Sequence, residues 1–147
     1  MLIPMNFEVG HILFFDRYQF TDTGETKPHF ALVLLPERAT EYQNSILCAV
    51  ITSKEPKKWG LPLSKTAYSC LTRDSFVCFD RKDLVSKEGL GSDEQPKGKL
   101  TDGDFKPAFK LLKKSLFVVD DLGKSPYFRA AIIYQWKVAL GMTTGLY

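Results

Sequence analysis

Residues 27–35 (KPHFALVLL) and 47–53 (LCAVITS) constrain this chain more than any other feature. Both runs are of strand length, rich in aliphatic and β-branched side chains, and joined by the polar segment 36–45. That connection is too short for a long crossover helix, so the runs are predicted to pair as antiparallel neighbours, which argues against a doubly wound α/β fold. Antiparallel pairing sets the beginning of the first run beside the end of the second. His29 and Thr52 are therefore expected at the same edge of the sheet.

Around this pair the chain reads as short strands divided by polar turns. Gly10–Phe15 is a compact apolar run, and the polar stretch 16–27 after it is expected to form a mobile turn where a ligand would be gripped. Leu61–Leu63 contains Pro62 and can be no more than an edge strand, whereas Ser75–Phe79 is another apolar strand. Five or six such strands describe a small barrel or sandwich. After the glycine- and charge-rich loop 87–99, Thr101 and Asp104 resemble a helix cap, with Phe105, Phe109, Leu112 and Leu116 at helical spacing. Pro107 fits the first turn if Asp104 rather than Thr101 is the cap. Phe128, Ile132, Trp136 and Leu140 then recur four apart, predicting a second amphipathic helix that packs on the barrel or meets a partner. The expected organisation is one domain over 1–147: a barrel at about 7–85, a helix at about 102–118 and an additional helix at about 127–140.

A chain of 147 residues with 44% apolar content can bury one ordinary core. Its net charge of +3 permits contact with nucleic acid without demanding it. Cys48, Cys70 and Cys78 are odd in number, form no CxxC and sit in or beside apolar runs, which reads as buried thiols in a reducing cytoplasm rather than a disulfide framework or zinc site. No apolar run is long enough to span a membrane, and the N-terminal stretch lacks the pattern of a signal peptide. Dinucleotide, P-loop, zinc-protease and serine-hydrolase signatures are all missing from the sequence. Lys54, Lys57, Lys58 and Trp59, directly after Thr52, combine cations with one stacking surface, as single-stranded nucleic acid sites do. The other reading is a solvated loop with its tryptophan tucked against the barrel.

Six segments in order resemble the MazF/PemK family of toxin endoribonucleases. They are Gly10-His-Ile, His29-Phe-Ala-Leu-Val-Leu, Val50-Ile-Thr-Ser, Arg73-Asp-Ser, Asp83-Leu-Val and Gly98-Lys-Leu-Thr-Asp-Gly-Asp. The likeness covers roughly residues 9–119. It implies an SH3-like small antiparallel β-barrel with a C-terminal helix, mainly β in class. It also implies a homodimer, a cognate antitoxin as partner, and cleavage of single-stranded RNA with neither metal nor cofactor.

In the family an arginine on the first strand and a threonine or serine on the second carry the reaction. By position the second is Thr52, while the arginine is replaced by His29. Metal-free RNA cleavage uses the neighbouring 2′-hydroxyl as nucleophile, so a proton must leave it, another must reach the 5′-oxygen, and the phosphoryl charge must be stabilised. The resemblance then gives His29 the part of general base or acid, the Thr52 hydroxyl a hydrogen bond to a non-bridging oxygen, and Lys27 the phosphate-facing charge. Ser53, Lys54, Lys57, Lys58 and Trp59 complete the expected substrate surface. The alternative is an inactive barrel of the same shape that binds RNA or protein, His29 being then only a polar residue at a strand mouth.

Overall fold

The computed structural model describes residues 7–40, 42–91, 95–116 and 126–141. Its centre is the predicted antiparallel pair, now β2 (Thr26–Leu35) and β3 (Ser45–Thr52), with Phe30 opposite Ile51 and Ala31 opposite Val50. Both strands are apolar without alternation because both of their faces are covered: Leu32, Leu34, Leu47, Ala49 and Ile51 join an outer core cluster beneath the helices, while Ala31, Val33, Ile46, Cys48 and Val50 join an inner one.

β1 (His11–Gln19) flanks β2, and the hydrogen-bonded order is β4-β5-β3-β2-β1-β7, with β4 Gly60–Leu63, β5 Ser75–Cys78 and β7 Gly98–Lys99. β6 (Asp83–Ser86) pairs with the first half of β3, and β5 with its last two residues. The sheet is strongly curled into a small SH3-like barrel, so that β6 comes round to β1 and Tyr18 Oη donates to Asp83 Oδ2 at 2.7 Å. β4 is an edge strand, as Pro62 requires.

β1 outruns the predicted strand by four residues, 16–19. A bulge between Phe15 and Tyr18 breaks the two-residue alternation, so both rings enter the inner cluster despite the polar residues between them. The remaining hairpin, 20–25, is closed by hydrogen bonds from Phe20 N to Glu25 O and from Gly24 N to Phe20 O.

The outer cluster is roofed by α2 (Asp102–Leu116) and α3 (Pro126–Ala139), after the single turn α1 (Glu37–Thr40). α2 begins one residue after Thr101, so Pro107 lies beyond the first turn and not inside it; it is exposed, and its missing N–H would have met the carbonyl of Gly103, which is also exposed. The predicted residues 117–118 of this helix lie outside the described residues. A second bulge, between Val33 and Leu35, takes Leu34 out of register, and Trp136 Nε1 of α3 donates to the Leu34 carbonyl at 3.1 Å. Trp136 is fully buried and stacks on Phe109, which identifies α3 as part of the core packing. Gly10 (φ +90°) admits no side chain, since a Cβ there would lie 2.5 Å from the Phe105 ring of α2. No helix among the described residues is long and apolar enough to cross a membrane.

Candidate active site

His29 and Thr52 follow directly on the Phe30–Ile51 pair, at opposed positions of β2 and β3, and cross-strand neighbours present their side chains on one face. The site exists because β3 stops here: beyond Thr52 the chain turns away, leaving a groove of about 490 Å³ at the end of the sheet, within the size range of ligand cavities. His29, Thr52 and Ser53 line it together with Phe14, Phe30, Thr72 and Arg73. By alternation Phe30 and Ile51 belong to the opposite face from His29 and Thr52, so the groove runs round the sheet's end.

His29 is half-buried, its imidazole set edge-to-face against Phe20 at 5.5 Å and Tyr18 at 6.2 Å. Burial pulls its pKa below the usual 6.5, and the Lys27 ammonium pulls the same way, against a hydrogen bond to the Ile51 backbone that favours the charged form. The imidazole is therefore neutral at pH 7, with a basic nitrogen available. Thr52 Oγ1 accepts from Lys54 N at 3.3 Å, and its own proton has no acceptor among the described residues. A hydroxyl held this way can donate to an incoming oxygen.

The rings beside His29 are themselves anchored. Phe20 lies under the Arg81 guanidinium at 4.7 Å, and Arg81 bonds Asp22 at 2.5 Å. Asp83, almost fully buried, accepts from Tyr18 Oη and, through its other oxygen, from Thr21 N at 2.8 Å. The hairpin expected to be mobile is thus tied to the start of β6. Charged acceptors of this kind hold their donors about twice as strongly as neutral ones.

Other predicted residues fall outside the groove. Lys27 pairs with Glu25 at 2.9 Å, both more than half exposed, an ion pair that contributes little to stability. Lys54, Lys57 and Lys58 are exposed on the following loop, and Trp59 packs against the outer core with Lys58 over its ring at 5.6 Å. The tucked arrangement of this tryptophan is the observed one. The groove carries aromatic surface of its own: Phe14 and Phe30 meet edge-to-face at 4.9 Å and both line it. The adjacency of Phe14 and Phe15 was the available signal, because neighbouring strand residues face opposite ways and only one could enter the inner core. Among the described residues no group of three or more His, Cys, Asp or Glu side chains gathers into a metal site.

An antiparallel, curled sheet roofed by C-terminal helices, with its groove at the end of the central strands, has the fold of a MazF-like protein. The chain is similar to a solved structure, the Mycobacterium tuberculosis toxin MazF-mt6, with a TM-score of 0.52 and 17% identity over 70% of this chain and 96% of that one. No protein-family model and no curated protein matches the sequence.

Proposed function

We propose that this protein is a metal-independent endoribonuclease that cleaves single-stranded RNA, acting in the cytoplasm as the toxin of a toxin–antitoxin pair and as a homodimer held in check by its antitoxin. The observation that supports this reading best is the meeting of a neutral imidazole and a free hydroxyl proton in one groove, on the shared face of two paired strands. His29 takes the proton of the 2′-hydroxyl; the 2′-oxygen attacks phosphorus, the bond to the 5′-oxygen breaks, and that oxygen takes up a proton from solvent. Thr52 donates to a non-bridging oxygen as charge builds on it. Phe14 and Phe30 offer ring surface to unpaired bases, which suits a single strand rather than a duplex.

One observation favours a second reading. The position of the family's arginine holds a residue uncharged at neutral pH, as expected of a barrel that kept its shape and lost its reaction. Incubation of mixed-sequence single-stranded RNA with the protein in excess chelator separates the two, beside His29→Ala and Thr52→Ala. The endoribonuclease reading expects products ending in a 2′,3′-cyclic phosphate, made about 10²-fold or more slowly by either variant. RNA left intact by the wild-type protein would leave the binding module.

A further inference from the structure

A groove built to hold a phosphodiester needs a permanent positive charge, and the two residues at the paired strand ends do not provide one. Thr52 is neutral, and the imidazole of His29 is uncharged at neutral pH. Lys27 and the lysines after Thr52 stand outside the groove wall. Among the residues that line it, one is permanently cationic: Arg73, on the segment leading into β5.

Arg73 is placed with some rigidity. Its carbonyl accepts from Ser75 Oγ at 2.9 Å, and β5 then locks onto the end of β3 with Phe76 opposite Thr52. The carboxylate next to it in sequence does not neutralise it, since Asp74 Oδ1 instead accepts from Lys65 N at 2.8 Å. Among the described residues no carboxylate forms an ion pair with the Arg73 guanidinium, which is exposed. Strand order gives the remaining geometry: β5, β3 and β2 lie side by side, so Thr52 sits between the approach to β5 and the opening of β2. A phosphate over the Thr52 hydroxyl would then have the guanidinium on one flank and the imidazole on the other.

We infer that Arg73 is the phosphate-binding residue of this groove, gripping non-bridging oxygens of the RNA backbone through its planar fork from the side opposite His29. The inference rests on the proposed RNA-binding reading of the groove and adds to it the group that bears the charge. A guanidinium can give two parallel hydrogen bonds to one phosphate, and such bonds strengthen as charge grows in the transition state.

Binding of a 2′-O-methyl single-stranded RNA, which cannot be cleaved through its 2′-oxygen, is measured against salt concentration for wild type, Arg73→Ala and Arg73→Lys. The lost contact should weaken binding by Arg73→Ala and flatten the plot of log affinity against log salt by about 0.7, the value for one phosphate of a single strand. Arg73→Lys should keep the wild-type slope, because the charge remains, while losing affinity and RNA cleavage with the fork. Unfolding curves should be unchanged in both variants, since the side chain is exposed and unpaired. Wild-type binding with an Arg73→Ala line of equal affinity and slope would overturn the assignment and leave the RNA reading standing. Failure of the wild-type protein to bind the oligonucleotide would overturn both.

Discussion

The two histidines differ in surroundings far more than in ionisation. Each lies on an inner strand, each is half-buried, and burial lowers the pKa of each, with a lysine nearby adding to the effect: Lys99 for His11 and Lys27 for His29. Yet His11 Nδ1 is already occupied, accepting from Glu8 N at 2.8 Å, while its strand neighbour across the ladder is Lys99. His29 faces a threonine hydroxyl across the strand pair and borders a groove. A lowered imidazole pKa is a consequence of packing at both places. Chemistry requires the neighbours as well.

The comparison breaks most openly under alanine substitution. His29→Ala is expected to slow RNA cleavage by about 10²- to 10⁴-fold, the usual worth of a general base, whereas His11→Ala should leave the rate within a few-fold of wild type. Initial rates on a fluorogenic single-stranded RNA measure both. Equal losses would mean that the groove confers nothing special on His29. The rate through His29 should also fall with acidity, but only at a pH lower than the 6.5 of a free imidazole, since burial lowers the ring's pKa and only the unprotonated ring accepts a proton.

How much of this site a sequence can disclose depends on the range of the interactions. The pairing of His29 with Thr52 was readable because it follows from one short connection and the antiparallel rule. The cap of α2 was only half readable, because the Thr101 hydroxyl lies 3.3 Å from Tyr68 Oη, which itself donates to Asp104, and nothing local announces a partner from another loop. Adjacency in sequence suggests that Arg73 pairs with Asp74. The structure instead gives Asp74 to Lys65 N and leaves the guanidinium at the groove, a distinction set by a loop nine residues upstream. The Asp83 carboxylate was hidden for the same reason: its donors, Tyr18 and Thr21, are more than sixty positions away in sequence.

That carboxylate sharpens the comparison, because it orders the rings beside His29 and has no counterpart beside His11. An asparagine at position 83 has one acceptor oxygen where two are used, and it turns an NH₂ toward a donor. Asp83→Asn should therefore destabilise the fold by about 1–3 kcal/mol, the cost of a buried donor left without its acceptor. It should also broaden the NMR signals of the His29 ring while leaving those of His11 sharp. Both histidines responding alike would mean that the Tyr18–Asp83 contact braces the whole barrel rather than one end of it.

Folding stability supplies the smallest effect, and here the two histidines should behave alike. A histidine whose folded pKa lies below its unfolded value binds fewer protons when folded, so its contribution is complete above about pH 6.5 and is lost as pH falls through the lower folded value. For His11 the causes are burial and, after it, the Lys99 ammonium, which the Glu8 carboxylate opposes. Urea unfolding between pH 7.5 and 5 should show stability declining with acidity, with each of His11→Gln and His29→Gln removing part of the slope. A wild-type slope of zero, or one untouched by both substitutions, would contradict burial as the common cause. Shared titration with unshared catalysis is the expected pattern, because desolvation acts on any half-buried ring, whereas proton transfer acts only where a substrate oxygen can reach it.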